Sequence, residues 1–330
     1  MEQARRIMPG VLLSGVVAMA AQFVSEHSQA PSMLMAILFG MAISFLSEEE
    51  TTLRAGIDFT AKVVLKIGIV LLGVRISFET LLSLGWEVVA LVALGLVATI
   101  GFGLAIGRLF GQSVRFSLLT AGAVSICGAS AALAISSVLP NTERSERQLF
   151  LTIVGVTALS TVAMIVYPAL LAQLGYNETV SGAFIGATIH DVAQVVGAGF
   201  SISEPAGDVA TLVKLIRVTL LAPTVVIIAL LFRKRGEPKD SGRKAPILPM
   251  FIIGFLTLAT FNSMGWIGEN VRDVTIILSK TALLTAIAAV GIKTNFREML
   301  AFGYGPIALI VAETVFIAVF AGLGLFWLNL

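Results

Sequence analysis

The feature that most constrains this chain is its succession of apolar segments, many of them close to the length of a membrane-crossing helix. The hydrocarbon core of a bilayer is about 30 Å thick and offers the backbone no water, so about 20 apolar residues of helix are needed to cross it. We count about eleven such segments and no connection long enough for a separate soluble domain. They run over residues 8–24, 31–46, 57–74, 84–108, 115–139, 148–174, 179–200, 208–232, 247–266, 272–291 and 304–328. This pattern predicts an all-α polytopic membrane protein with residues 1–330 forming a single domain.

Composition agrees with a membrane protein and excludes several other classes. Hydrophobic residues make up 57% of the chain and charged residues only 13%, unlike an ordinary soluble domain. The net charge is +2 and no basic block is interleaved with aromatic residues, so we expect no nucleic-acid partner. A single cysteine, Cys127, provides neither a disulfide framework nor a cysteine cluster for a metal, and no resident metal or cofactor is predicted.

The distribution of basic residues predicts how the chain is oriented. The longest polar connection, RKRGEPKDSGRKAP at 233–246, carries six lysine and arginine residues, which favours a cytoplasmic location. Eleven crossings would then leave the N-terminus in the cytoplasm and the C-terminus outside it. Two features do not fit this orientation, namely Arg75 and the connection NTERSER at 141–147. The first segment also resembles a signal peptide, but the next apolar run follows at once and a retained first helix is the simpler interpretation.

Two parts of the chain repeat each other. Residues 62–92 align without a gap on residues 280–310, and nine of the aligned positions are identical, including Lys62 with Lys280 and Gly73 with Gly291. An odd number of predicted spans separates equivalent positions, so the second copy would be inverted in the membrane. Inverted repeats are typical of secondary transporters.

A weaker similarity joins SICGASAALAISS at 125–137 with TIHDVAQVVGAGF at 188–200. Each is a stretch of small and polar residues inside an apolar run. The eleven-span topology makes these two stretches parallel, which conflicts with the inverted repeat. Either one of them is a half-span or the similarity is accidental.

The first of these stretches has two interpretations. From Gly128 to Ala132 it contains no bulky side chain, which favours close helix packing. Alternatively, the helix is interrupted near Cys127, Gly128, Ala129 and Ser130, and a half-helix N-terminus there offers free amide groups to an anion. Ser125 and Ser130 would then add hydroxyl donors.

The second stretch places His190 and Asp191 in an apolar run. An aspartate near the bilayer centre costs about 3 kcal/mol on insertion scales, so it indicates a functional site unless Asp191 caps a helix at an interface. Gln194 would share a helix face with both residues. The pair could carry a coupling proton, because histidine titrates near neutrality, or Asp191 and Gln194 could hold sodium.

The following span provides two cations for this site. Lys214 and Arg217 lie three residues apart on one helix face, where Lys214 could instead snorkel to the interface. As site residues they would face Asp191 across an aqueous cavity, and two cations against one carboxylate favour an anionic substrate. Glu87 and Glu313 are lone acids in or near spans, without an assigned role.

Four motifs together resemble a known family. LKIGIVLLGVRISFETLLSLGW, ICGASAALAISSVLP, ATIHDVAQVVGAGF and VKLIRVTLLAP are similar to the YeiH / UPF0324 family of bacterial inner-membrane proteins, also called sulfate exporters. The resemblance covers roughly residues 8–329 and is most specific at the His-Asp-Val-Ala-Gln-Val stretch. It implies an elevator-type transporter with two broken helices, related to bile-acid symporters and cation/proton antiporters. It also implies that some members of that family are linked to sulfonate breakdown.

We therefore expect a multi-pass inner-membrane transporter that exports a small anion such as sulfate, sulfite or a sulfonate. The predicted binding residues are Ser125, Cys127, Gly128, Ala129, Ser130, His190, Gln194, Lys214 and Arg217, with Asp191, His190 and Gln194 coupling transport to protons or sodium. Another organic anion and cation/proton antiport are open alternatives, and so is a homodimer. A channel is less well supported, and no enzyme is expected, because adjacent histidine and aspartate residues on one helix point about 100° apart.

Overall fold

The computed structural model describes residues 2–28, 30–47, 52–76, 84–140, 144–232, 250–294 and 304–328. All regular structure within these ranges is helical, as predicted. The α-helices are α1 Glu2–Ser28, α2 Ser32–Ala42, α3 Arg54–Phe59, α4 Leu65–Leu72, α5 Gly85–Ile106, α6 Val114–Ser125, α7 Ala129–Ser136, α8 Ser145–Leu174, α9 Glu178–Thr188, α10 Val192–Ile202, α11 Glu204–Thr219, α12 Leu221–Phe232, α13 Met250–Ser263, α14 Glu269–Lys293 and α15 Tyr304–Trp327. A π-helical turn, Thr60–Val64, joins α3 to α4.

Six stretches of these helices are long and apolar enough to cross a membrane. They are Arg6–Ser28, Gly85–Phe110, Ser145–Leu174, Glu204–Phe232, Glu269–Lys293 and Tyr304–Trp327. Helix α2 has only 11 residues, which is roughly 16 Å of helix and too short to cross alone. The chain is a polytopic membrane protein, and the eleven predicted segments do not all cross as straight helices.

The helix over segment 115–139 is broken as predicted, since α6 ends at Ser125 and α7 begins at Ala129, but the chain then reverses direction instead of continuing across. Arg115 Nε donates to the Pro140 carbonyl at 2.8 Å, although these residues are 25 positions apart and would be roughly 37 Å apart in one straight helix. Deeper in the segment, a Cβ built on Gly122 would lie 2.3 Å from Ile135 Cδ1. Helices α6 and α7 therefore lie side by side and form a re-entrant hairpin, which we call hairpin 1.

The second predicted break is also present, between Thr188 and Val192, and segment 179–200 likewise reverses there. Gly182 of α9 and Gly199 of α10 both pack against Ala206 of α11. Residues on the two sides of the break therefore lie at the same level of the bundle. Helices α9 and α10 form a second re-entrant hairpin, hairpin 2.

The two hairpins enter from opposite ends of α8. Near the start of α8, Gln148 Oε1 accepts from Arg115 Nη1 at the base of hairpin 1. Midway along α8, the Ser160 hydroxyl accepts from the Asp191 amide at the tip of hairpin 2, and Met164 lies beside Gly197 further on. The similar stretches 125–137 and 188–200 are thus inverted relative to each other, which removes the predicted conflict with the longer repeat.

The helices of the longer repeat pack on their counterparts in an antiparallel arrangement. Lys293 at the end of α14 pairs with Asp58 of α3 at 2.5 Å, whereas Ser279 earlier in α14 donates to the Gly68 carbonyl of α4 at 2.8 Å. Helices α5 and α15 also run in opposite directions, because Glu313 lies beside Gly103 and Gly324 beside Leu91. An inverted repeat requires this geometry. Residues 77–83 and 295–303 of the two copies lie outside the described ranges.

The described helices sort into two groups by their main contacts. One group contains α5–α12 and α15 and carries both hairpins, and the other contains α1–α4, α13 and α14. Helix α10 connects the groups by packing on α2 and α14. At its end, Arg75 Nη1 pairs with Glu204 at 2.6 Å, and Arg75 Nη2 pairs with Asp208 at 3.0 Å.

Re-entrant geometry predicts which residues face the same side of the membrane. In a variant with Cys127 replaced by serine, single cysteines at the exposed positions Arg108 and Arg147 should react with an impermeant thiol reagent from one side. Cysteines at the exposed positions Tyr176 and Pro205 should react from the other side. Reaction of Arg108→Cys and Arg147→Cys from opposite sides would restore a spanning helix at 115–139.

Candidate functional site

The candidate site lies where the tips of the two hairpins meet, midway along α8. Helix α6 ends at Ser125 and the chain turns through Gly128, whose φ of +60° is a conformation that glycine adopts without steric cost. A Cβ built on Gly128 would lie 3.6 Å from His190 Cβ. The structure therefore brings together the two stretches that the sequence predicts as halves of one site.

Arg217 of α11 connects the two tips through four hydrogen bonds to backbone carbonyls. Its guanidinium donates to Val124 at 2.8 Å and Ser125 at 3.1 Å in hairpin 1. In hairpin 2 it donates to Gly186 and Ile189, both at 3.0 Å. The side chain is only 1% exposed, and its planar fork of donors crosslinks both turns inside the protein.

Lys214 makes the same kind of connection one helical turn away. Its ammonium donates to the carbonyls of Ile126 at 2.7 Å and Ile189 at 2.8 Å, and the residue is fully buried. No ion pair joins Lys214 or Arg217 to Asp191 among the described residues, so the cations that were predicted to face Asp191 across a cavity bond backbone carbonyls in this conformation. The last carbonyls of a helix lack intrahelical partners, and their partial negative charge attracts the cations instead.

His190, at the tip of hairpin 2, contacts three other elements, which are α8, hairpin 1 and α15. Its backbone amide donates to the Ser160 hydroxyl of α8 at 3.2 Å. In the ring, Nδ1 lies 3.1 Å from the Val124 carbonyl of hairpin 1, and Nε2 lies 3.0 Å from Thr314 Oγ1 of α15. A carbonyl only accepts, so Nδ1 carries a proton. The Thr314 hydroxyl, which also lies 2.8 Å from the Ile310 carbonyl, can then either donate to Nε2 or accept from it.

Asp191 caps the helix that leaves the tip of hairpin 2. Its Oδ1 accepts from the Ala193 amide at 2.8 Å, as an N-cap aspartate does. The predicted alternative of a capping role is therefore correct locally, with the cap at the hairpin tips. The residue remains partly exposed there.

Gln194 faces α8, the helix that also bonds the Asp191 amide. Its amide nitrogen donates to Thr161 Oγ1 at 2.7 Å, and its carbonyl oxygen is buried without a described partner. The prediction assumed a continuous helix from His190 onward, whereas α10 begins only at Val192. Gln194 is thus a packing residue of hairpin 2 in this conformation.

The remaining predicted residues surround the tip of hairpin 1. The Ser125 hydroxyl is directed back to the Gly122 carbonyl at 3.3 Å, and Cys127 is 5% exposed. Ala129 is partly exposed and Ser130 is exposed. The N-cap residue Gly128 provides no side-chain cap for α7, and the first amides of a helix have no intrahelical partner, so those of Ala129 and Ser130 can bind an anion. No cluster of metal-ligating side chains occurs within the described parts of the chain.

Two residues of the site were not predicted from the sequence, namely Ser160 of α8 and Thr314 of α15. Their hydroxyl groups form hydrogen bonds with hairpin 2. Serine and threonine are frequent in membrane helices and usually bond a carbonyl of their own helix. Thr314 does so as well. Neither residue carries a signal in the sequence that separates it from the other hydroxyl residues of the chain.

Comparison with known proteins places the chain in a family. The family model described as Conserved hypothetical protein 698 matches residues 9–310. The UPF0324 membrane protein TauZ of Paracoccus denitrificans is 55% identical over 96% of this chain and 94% of its own length. The UPF0324 membrane proteins RB0971 of Rhizobium meliloti and CT0845 of Chlorobaculum tepidum are 53% and 46% identical, over 97% and 98% of this chain and 93% and 90% of their own lengths. The resemblance found in the sequence motifs is confirmed, and the chain belongs to the UPF0324 family of membrane proteins.

Proposed function

We propose that this protein is a secondary active transporter that exports a small anion such as sulfate, sulfite or a sulfonate. The observation that carries the proposal is the pair of opposed hairpin tips, crosslinked by the buried cations Lys214 and Arg217. Discontinuous helices that end near the bilayer midplane are how secondary transporters present helix termini to a substrate.

The charge balance at the tips favours an anion. Two helix C-termini and two helix N-termini meet there, and their partial charges of roughly 0.5 each cancel. Lys214 and Arg217 then face the single carboxylate of Asp191, which leaves about one positive charge. A monovalent anion neutralises this charge, and a divalent anion does so if Asp191 is protonated.

The open N-terminus of α7 is the proposed contact surface for the anion. The amides of Ala129 and Ser130 and the Ser130 hydroxyl are its donors, and Lys214 and Arg217 act from behind the tips by holding both turns in place. Asp191 lies beside this surface as the coupling group, whether protons or sodium provide the driving force. A coupling proton on His190 would require the Thr314 hydroxyl to turn toward the Ile310 carbonyl.

The two helix groups suggest how the site would gain access to both sides. In an elevator mechanism, α5–α12 and α15 would carry the hairpins past α1–α4, α13 and α14. The contact between the groups includes α10 and the ion pairs of Arg75. A cavity of about 700 Å³ beside this contact is lined by Phe200, Lys280 and Leu284 among others.

The re-entrant hairpins also remove one exception to the proposed orientation of the chain, the basic residues of the connection at 141–147. Because hairpin 1 returns to the side from which it enters, Arg144 and Arg147 join Arg108 and Arg115 on the side that we assign to the cytoplasm. Arg75 stays on the outer side, where Glu204 and Asp208 neutralise it. We propose an inner-membrane location with a cytoplasmic N-terminus and an outer C-terminus, and the oligomeric state stays open.

Two other functions are weaker. An intramembrane enzyme with Cys127 or Ser130 as nucleophile would need a base beside it, but both ring nitrogens of His190 contact Val124 and Thr314. A channel would need no coupling group at the tips. Another organic anion or cation/proton antiport would use the same tips with different selectivity.

Transport by the purified protein in proteoliposomes tests the proposal. Vesicles loaded with unlabelled sulfate, sulfite, taurine or a small carboxylate should exchange at least one of these anions for its labelled form. The exchange should saturate, and a proton or sodium gradient should drive net flux. Unsaturable flux of many ions would indicate a channel, and no anion flux with sodium–proton exchange would indicate an antiporter.

A further inference from the structure

Glu313 of α15 is a fully buried carboxyl group outside the hairpin tips. Thr120 Oγ1 of α6 lies 2.9 Å from its Oε1, and its Oε2 is buried without a described partner. The group occupies space left by Gly103 of α5, where an added Cβ would lie 2.5 Å from Oε1. Three helices thus enclose this one carboxyl.

No described cation compensates Glu313. On the neighbouring elements, Arg108 is exposed, and Arg115 donates to Pro140 and Gln148. His190 bonds to Thr314 and not to Glu313. The parts of α8 and α9 that meet α15 contribute apolar contacts, such as Gly155 with Ile310 and Phe184 with Gly322. An ionised carboxylate in such a place would lack both water and a counter-charge, which is strongly unfavourable.

The hydrogen bonds of Thr120 independently indicate that Glu313 is a neutral acid. The Thr120 hydroxyl has one proton and lies near two acceptors, Glu313 Oε1 and the Ser117 carbonyl at 3.2 Å. If Glu313 were ionised, the hydroxyl could serve only one of them. If Oε1 carries a proton, it donates to Thr120 Oγ1, which donates to Ser117, and both contacts become hydrogen bonds.

We propose that Glu313 is a proton-binding site of this carrier, occupied in the conformation described here and linked to the hairpin tips through α15. The link is covalent and short, because the next residue, Thr314, contacts the His190 ring at the tip of hairpin 2. Movement of that tip on anion binding would shift Thr314 and Glu313 together. This role rests on the proposed transport function, in which the proton is a coupling ion and Glu313 is a group that carries it.

Infrared spectroscopy of the purified protein tests proton occupancy without requiring transport. The wild-type protein should show the carbonyl stretch of a protonated carboxylic acid, and Glu313→Gln should lose one such group per chain. The matched control Glu178→Gln, at an exposed position of α9, should keep it. Identical protonated-carboxyl bands in wild type and Glu313→Gln would overturn the proposal.

A second variant keeps the test decisive if Glu313→Gln does not fold. Thr120→Val preserves the shape of the side chain but removes the hydroxyl that pairs with the acid. Its protonated-carboxyl band should remain and shift in frequency, and an unshifted band would overturn the assignment. The link to the tips is measured by the change in bound protons when sulfate, which does not itself titrate near neutral pH, is added in weak buffer. This change should be smaller in Glu313→Gln, and an unchanged value would overturn coupling through this group.

Discussion

Replacing Arg217 by lysine is expected to destabilise the protein by about 3 kcal/mol and to abolish anion binding. Arg217 donates to four carbonyls in two separate turns. A lysine ammonium is compact and cannot reproduce the planar fork, so at least one or two buried hydrogen bonds would be lost. Each hydrogen bond from a charged donor contributes about 1.5–3 kcal/mol.

Thermal unfolding in detergent measures this effect, with Arg272→Lys as the matched control. Arg272 lies on α14 and is exposed, so the same substitution there should leave unfolding almost unchanged. Equal unfolding temperatures for both variants would mean that the four contacts of Arg217 do not hold the hairpin tips together.

Replacing Asp191 by asparagine is expected to abolish coupled transport and leave the fold intact. Asparagine and aspartate are about equally good N-caps, so the amide oxygen still accepts from the Ala193 backbone amide as Asp191 Oδ1 does. The substitution therefore removes the charge and the titration of the group without removing the cap. Because Asp191 is the carboxylate at the described tips, gradient-driven flux in proteoliposomes should fall to background.

The control for this variant is Asp273→Asn, at an exposed position of α14. Both proteins should unfold at the wild-type temperature, and only Asp273→Asn should transport at the wild-type rate. Wild-type flux in Asp191→Asn would remove Asp191 from the coupling mechanism. Gradient-independent exchange that persists in this variant would limit its role to coupling and leave anion binding to the remaining residues.

Much of the helical framework could be predicted because a bilayer imposes strong length and polarity requirements on the sequence. Positions such as Gly73 and Gly291 also revealed the inverted repeat, since the two copies keep identical residues. The positions of both helix breaks were predictable as well, at Gly128 and at His190–Asp191. Small and polar residues at these places weaken a helix regardless of its partners.

The direction of the chain after each break could not be predicted. A break shows that a helix ends but not whether the next one continues or returns. The return of hairpin 1 depends on contacts such as Arg115 with Pro140, and that of hairpin 2 on two glycines meeting the same part of α11. These contacts are non-local, so no window of the sequence contains them.

The same limit explains why the carbonyl partners of the cations could not be predicted. Opposite charges in an apolar chain predict only that Lys214 and Arg217 face Asp191 across a cavity. Hairpin tips, however, expose helix C-terminal carbonyls, and these attract cations without contributing any charged residue to the sequence. Once the hairpins are known, the contacts of Lys214 with Ile126 and Ile189 follow from the need to satisfy buried carbonyls.

The most direct test of the proposed anion site uses the single cysteine of the chain, Cys127, which lies at the tip of hairpin 1 and is buried. The measurement is the alkylation rate of Cys127 in purified protein at constant ionic strength, with sulfate, taurine or chloride added. Binding at the tips predicts that at least one oxyanion slows alkylation in a saturable way and that Asp191→Asn changes its half-maximal concentration. An alkylation rate that is the same in every anion would contradict an anion site at the hairpin tips.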